Sequence, residues 1–300
     1  GVFERLQGGG AGVLYIVPTP VGNLEDMTAR AARVLSEADF IACEDTRTSL
    51  PLLRRFGITR PLVAYHSFNE RGRADSILER LARGESCALI SDAGTPGISD
   101  PGYELIRRCI EAEIPVTALP GPTAFVPALI VSGLPPYPFL FYGFLPDGMG
   151  DRERAIRSVA GLPWTLIFYV SPHKAERHVA HLLELLGDRR AALVREVSKI
   201  YEEARRGPLS SIAKSLADGV KGELVLVVEG ASADAGGAEG DWMERARELA
   251  AAGLSSREVV KTISREYSVS KNEVKTFLFR KDGPDSEGAG DPCDTGRSTT

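Results

Sequence analysis

The sequence predicts an α/β fold made of two successive α/β domains, followed by a small helical segment. Three observations lead there. From Val13 to Ala118, short apolar runs alternate with segments of helical spacing, a pattern that requires crossover connections and so a mostly parallel sheet with helices on both faces. Every unusual motif in this stretch falls at the carboxyl end of a predicted strand, where open α/β sheets bind ligands. Beyond it, four more apolar runs separated by helical segments make a second unit up to Gly230.

Residues 1–12 read as a flexible N-terminus without an apolar leader, and no run approaches the roughly 18 apolar residues of a membrane span, so a cytoplasmic protein is expected. The first domain is assigned to 13–123. VLYIVPTP (13–20) reads as a strand entering a proline-rich turn, and TARAARVLSEA (28–38) as a helix capped by Thr28. DFIACEDT (39–46) and PLVAYHS (61–67) are strands ending in polar groups. DSILERLARG (75–84) is an amphipathic helix stopped by Gly84, and CALIS (87–91) a strand. A helix at 103–112 leads to the strand IPVTALPG (114–121).

The second domain is assigned to 124–230, with a hinge near Thr123–Pro127. Its strands are expected at 139–145, 163–171, 191–198 and 223–230, and its helices at 151–160, 173–187 and 208–219. Residues 231–240 are small and linker-like. In the helical segment 241–281, Ser255 with Glu258 and Ser270 with Glu273 form Ser-x-x-Glu capping boxes, and the short turn between the helices they open suggests a helix-turn-helix arrangement. Residues 282–300 carry almost no apolar side chains and are expected to be disordered.

A net charge of −5 argues against a protein that coats nucleic acid by bulk electrostatics, although Arg257–Lys281 holds seven Lys or Arg against three Glu. Four dispersed cysteines without CxxC or histidine pairs argue against structural zinc and a disulfide framework, and no metal is expected. Neither GxGxxG nor GxxxxGK[ST] occurs, which removes the main support for NAD or ATP.

Four strand ends could carry chemistry. VPTPVGNLEDMT (17–28) has the form of a nucleotide-binding loop. In CEDT (43–46), neighbouring strand residues point to opposite faces, so Glu44 and Asp45 diverge, one toward a cleft and one toward a cap. YHSFNE (65–70) gathers His66, Asn69 and Glu70, but no HxxH completes a metal site. SDAGTPGISDPG (91–102) is the strongest: Asp92 and Asp100 bracket glycines that admit a ligand close to the backbone, and no Lys or Arg lies between Ser91 and Arg107 to hold a phosphate. The loop suits a neutral or cationic ligand with an amino-acid or adenosine portion.

Taken together, LYIVPTPVGNLEDMTARA (14–31), FIACEDTR (40–47), YHSFNE, LISDAGTPGISDPG (89–102) and LPGPTAFVPALIVSGLP (119–135) resemble the tetrapyrrole-methylase superfamily. They are most similar to its branch that 2'-O-methylates a cytidine of small-subunit (16S) ribosomal RNA. GFLP (143–146), IFYVSPHK (167–174) and LVLVVEG (224–230) extend the resemblance over about residues 13–280. The chain departs from the family's usual FYESPHR at Val170 and Lys174.

The resemblance implies S-adenosylmethionine bound in a cleft between two α/β domains. Val21, Asp92, Ala93, Gly94, Gly97, Thr123, Ala124 and Val170 are the implied cofactor contacts. Glu44, Asp45, His66 and Glu70 are the candidates for activating the ribose hydroxyl. Asn23, Arg47 and Asn69, with Lys271 and Lys275 of the basic helices, are the candidates for holding RNA. A homodimer acting on the RNA or the assembled small subunit is implied. The alternatives are a C-methyltransferase of a tetrapyrrole precursor and a non-catalytic RNA-binding module for ribosome assembly.

Overall fold

The computed structural model of the chain describes residues 12–66, 70–232, 239–267 and 269–279. The chain divides at Gly230/Ala231 into two compact units. The expected N-terminal segment up to residue 11, residues 233–238 of the linker, and the tail from 280 lie outside the described residues.

The first unit contains two sheets. In the first, β1 (Leu14–Ile16), β2 (Phe40–Cys43), β3 (Leu62–Ala64), β4 (Cys87–Ile90) and β5 (Val116–Ala118) run in the order β3-β2-β4-β1-β5 with every pairing parallel. The helices α1 (Ala29–Glu37), α2 (Thr46–Arg55), α3 (Glu70–Ala82) and α4 (Tyr103–Glu111) are the crossovers. Side chains alternate across the sheet. Tyr15, Ile41, Cys43, Ala88 and Ile90 pack with Val34 and Leu35 of α1 and Leu53 of α2. Leu14, Ile16, Phe40, Ala42 and Leu89 pack with Ile77 and Leu81 of α3 and Leu105 and Cys109 of α4. Both faces are therefore dry, which explains the near-continuous apolar runs in the sequence. Thr28 caps α1 as expected, accepting from the Ala31 N–H at 3.0 Å.

The second sheet holds β6 (Phe139–Phe144), β7 (Thr165–Val170), β8 (Arg190–Arg195), β9 (Glu203–Pro208) and β10 (Leu224–Val228) in the order β6-β7-β10-β8-β9. Only β6 and β7 pair in parallel; β10 is antiparallel to β7 and β8, and β9 to β8. One face packs on α6 (Met149–Ala160), α7 (Ala175–Leu186) and α8 (Leu209–Lys214). The other packs on α5 (Phe125–Ser132), and Val21 from the first half of the unit joins that cluster beside Ile167, Val194 and Val225. Residues 125–127, at the expected hinge, form the first turn of α5.

The elements the sequence reading left out are α2, α5 and β9. Pro51 sits inside α2. α5 is apolar nearly all round, with Pro127 in its first turn. β9 reads EARRGP and lies at the sheet edge with no buried residue, so no apolar alternation marked it.

The second unit is a three-helix cluster: α9 (Glu239–Ala251), α10 (Ser256–Glu266) and α11 (Lys271–Phe279). Its core is Trp242, Ala246, Val259, Val260, Ile263 and Val274, with the Trp242 ring edge-on to Phe277 at 5.2 Å. Both capping boxes form, reciprocally in each case.

Phe168 is fully buried at the centre of the α6–α8 core. Phe168→Ala should lower the stability of the first unit by roughly 3–5 kcal/mol. Urea denaturation should show this as a lower midpoint with an unchanged slope.

Candidate functional site

The strand order leaves a crevice at the carboxyl ends of β1 and β4. These strands are neighbours, but the chains leaving them diverge, one through 17–28 to α1 and the other through 91–102 to α4. Reciprocal backbone hydrogen bonds, Thr19 N–H to Gly94 O at 2.9 Å and Gly94 N–H to Thr19 O at 3.0 Å, tie the two loops together. Thr95 Oγ1 donates to Pro122 O at 2.9 Å, which adds the loop after β5. The Asp45 N–H donates to Asp92 Oδ1 at 3.3 Å, which adds the end of β2. Gly94 has φ +79° and lies against Val21, so a β-branched residue there would be strained and crowded.

The loops and the second sheet enclose a cleft of about 420 Å³, within the usual range for small-molecule sites. Val21, Asp92, Ala93, Gly94, Thr123, Ala124 and Val170 line it, as do Glu44, Asp100 and Glu223. Gly97 of the same loop is not among the lining residues and packs toward Ile106. Among the described residues, the lining contains four carboxylates and no Lys or Arg.

Desolvation raises several of these acids above the ordinary carboxylate range. Burial pushes Asp100 up to about 6, with a hydrogen bond from Ser91 working against it and the charges of Glu44 and Asp92 adding to the rise. Burial also raises Glu44, with Asp92 adding to the rise and its hydrogen-bonded contact and His66 opposing it. Asp92 is raised by burial against the bond from the Asp45 backbone. Tyr169, in the wall, hydrogen-bonds with the backbone of Phe125 and Ala124 at the start of α5, and burial lifts its hydroxyl to about 12. It stays neutral and serves as a wall.

The structure divides the CEDT pair. Glu44 faces the cleft, whereas Asp45 is the N-cap of α2, accepting from the Arg47 N–H at 2.8 Å and pairing with the Arg47 guanidinium, which holds its carboxyl down at about 2. Arg47 is exposed. His66 is half-buried outside the lining, close enough to act on Glu44 electrostatically. Asn69 and the side chain of Glu70 lie outside the described residues. Asn23 is exposed and caps the short 3-10 turn at 24–26, accepting from the Glu25 N–H. Lys271 and Lys275 are exposed on α11 in the second unit.

Sequence reasoning passed over Asp100 as a site residue, although its position in the glycine-rich loop was a usable signal. Tyr169 and Glu223 gave none, because the second sheet brings them to the cleft from more than 50 residues away.

A crevice at a strand switch point, lined with acids and open backbone, defines a two-sheet α/β enzyme for a cationic small molecule. Residues 13–213 match the family described as Tetrapyrrole (Corrin/Porphyrin) Methylases, and the chain belongs to that family of methyltransferases. It is 41% identical over 268 residues to the ribosomal RNA small subunit methyltransferase I of Streptococcus pyogenes serotype M1, covering 88% of this chain and 93% of that one. The Bacillus subtilis (strain 168) protein of that name is 40% identical over 270 residues, 88% of this chain and 92% of its own. The one from Mesorhizobium japonicum is 46% identical over 225 residues, 74% and 76%.

Among solved structures, the fold is similar to uroporphyrin-III-C-methyltransferase from Thermus thermophilus, with TM-score 0.51 and 24% identity over 72% of this chain and 94% of that one. Diphthine synthase superposes with TM-score 0.58 at 16% identity, over 73% and 90%.

The family's methyl donor is S-adenosylmethionine. Its electrophilic methyl group is carried on a cationic sulfur. The lining fits it: Glu44, Asp92 and Asp100 suit the positive charge, while Glu223 is paired with Lys199 Nζ at 3.1 Å, and the loop around Gly94 admits close backbone approach. Asp92, Gly94, Asp100, Thr123 and Ala124, which line the cleft, are the residues that would hold it.

A bound cation favours ionised Asp100, so affinity for S-adenosylmethionine should rise as pH increases through about 6. For the ligand-free fold the sign reverses: native Asp100 keeps its proton longer than the unfolded chain, and its ionisation costs stability between about pH 4 and 6. Calorimetric titration from pH 5 to 8 should show the affinity rise in the wild type. Asp100→Asn should bind more weakly at pH 8 and lose most of the pH dependence.

Proposed function

We propose that the protein transfers a methyl group from S-adenosylmethionine to the 2'-hydroxyl of a cytidine in small-subunit ribosomal RNA. The observation that carries the reading is the 41% identity, across 88% of the chain, to proteins named ribosomal RNA small subunit methyltransferase I. That match extends beyond the 201-residue stretch shared with the wider methylase family (13–213). The solved neighbours under 25% identity bear on the fold alone, and no feature of the cleft favours a tetrapyrrole acceptor.

The residues would act as follows. Asp92 and Asp100 set a negative field in a partly dehydrated wall, which favours the cationic donor. Alignment of the ribose hydroxyl with the methyl group is the main requirement of an in-line transfer. Of Glu44, Asp45, His66 and Glu70, Glu44 is the one whose described side chain reaches the cleft, so the hydroxyl proton is assigned to its carboxylate. Burial raises its proton affinity, which suits that task.

The acidic cleft cannot attract RNA by charge, and that role is assigned to the second unit. There Arg257, Lys261, Lys271 and Lys275 are exposed around an apolar core, where phosphate contacts would give salt-dependent binding. We extend the proposal to a cytoplasmic homodimer: β6 is a sheet edge, and Tyr137, Phe139 and Trp164 beside it are exposed.

The test is transfer of labelled methyl from S-adenosylmethionine to small subunits purified from cells lacking this gene, with the label then mapped. Label on a cytidine ribose is expected. A chain truncated after Gly240 should bind the subunit more weakly and with a flatter salt dependence, at unchanged cofactor affinity. Label on uroporphyrinogen and none on RNA would overturn the reading.

A further inference from the structure

Strand β6 changes register just before it reaches the cleft. Phe139, Leu140 and Phe141 pair in step with Thr165, Leu166 and Ile167 of β7, after which Gly143 pairs with Phe168 and Phe144 with Tyr169. An unbroken register would set Phe144 opposite Val170, whose side chain is buried in the α6–α8 core. A slip of one residue exchanges the faces of a strand. The bulge at Tyr142 thus takes Phe144 off the core face and puts it beside Tyr169, where it lines the cleft and is 55% exposed.

Gly143 permits the slip. Its φ is +82°, and a Cβ there would come within 2.6 Å of Ser99 Oγ in the glycine-rich loop. The Phe144 ring is held from one side by Tyr169, edge-on at 5.5 Å and 61°.

The chain that follows is fastened down. Leu145 is buried. Arg152, only 3% exposed, donates from Nη1 to the carbonyls of Asp147 at 2.7 Å and Pro146 at 3.3 Å, and from Nε to His181 Nδ1 at 3.0 Å. Lys174 Nζ donates to the Asp147 carboxylate at 2.7 Å. The fold therefore holds a large apolar ring rigidly in the open, at the mouth of a cleft whose other notable groups are acids.

We propose that Phe144 stacks on the base of the nucleotide whose ribose is methylated, an inference that rests on the RNA-acceptor reading above. A ribose hydroxyl reaches a recessed cleft only if its nucleotide leaves the neighbouring stack. An exposed aromatic replaces the lost stacking and tolerates any base, since every base has a π face. Glu44, Asp92 and Asp100 repel the phosphates on either side. Among the described lining residues the attraction has to come from an uncharged contact, and Phe144, with the exposed Ile98, supplies it.

The test compares wild type, Phe144→Ala and Phe144→Trp in methyl transfer to small subunits from cells lacking the gene, with calorimetry of S-adenosylmethionine alongside. Phe144→Ala should raise KM for the subunit by about 5- to 150-fold, the range of one base–aromatic stack, with a smaller change in kcat and cofactor affinity within about twofold. Phe144→Trp should restore KM to within about threefold of wild type. An unchanged KM in Phe144→Ala overturns the proposal, as does failure of Trp to rescue. A parallel loss of cofactor affinity in Phe144→Ala assigns the ring to the cofactor and also overturns it. If the wild type binds cofactor but methylates no subunit, the RNA reading fails and the stacking role falls with it; a wild type that methylates with an Ala variant of equal KM removes the stacking role alone.

Discussion

The site depends on two backbone hydrogen bonds between Thr19 and Gly94. They join the loops leaving β1 and β4, the two strands whose chains part at the centre of the parallel sheet. Thr19 is fully buried, and its Oγ1 donates to Ser91 O at 3.4 Å, so the junction is closed to water on that side. From it, Val21 reaches the core of the second sheet, Asp92 meets the end of β2, and Thr95 meets the loop after β5. Three loops and a second sheet are thereby held at fixed spacing around one cleft.

This geometry explains how so acidic a lining persists. Carboxylates that face one another while losing water are destabilised in their charged forms, and Asp100 titrates near 6 for that reason. The cost is borne by the framework around the junction, and a cationic ligand relieves it. The cleft is thus tuned to charge before shape. Those carboxylates offer a polyanionic acceptor no attraction, which is why RNA binding is proposed for the exposed cations of the helical unit and for the uncharged ring at the cleft mouth.

The first sheet was legible because its strands are buried on both faces, and a run such as CALI admits little else between two helices. Thr28 and the Ser255–Glu258 box were legible because caps are local chemistry. Strand β9 was not: its Arg205 and Arg206 project from a sheet edge, where pairing with β8 rather than hydrophobicity defines the strand. Helix α2 was hidden by Pro51 and α5 by a composition without polar punctuation. In the site, the split of Glu44 from Asp45 follows from strand alternation and could be read directly. Asp100 could have been read from its place in the glycine-rich loop, whereas Tyr169 and Glu223 could not, because the second sheet brings them to the cleft from a distant part of the chain, and the turn of Phe144 toward the cleft depends on a bulge that leaves no compositional trace beyond Gly143.

The central claim is that the cleft recognises its ligand by positive charge through partly desolvated carboxylates. S-adenosylmethionine and S-adenosylhomocysteine differ in that the first carries a methylated, cationic sulfur and the second a neutral one. The most direct measurement is the ratio of their dissociation constants across pH 5 to 8. The preference for the cation should increase as pH rises through about 6, where Asp100 ionises. A ratio that stays constant over that range would contradict the account.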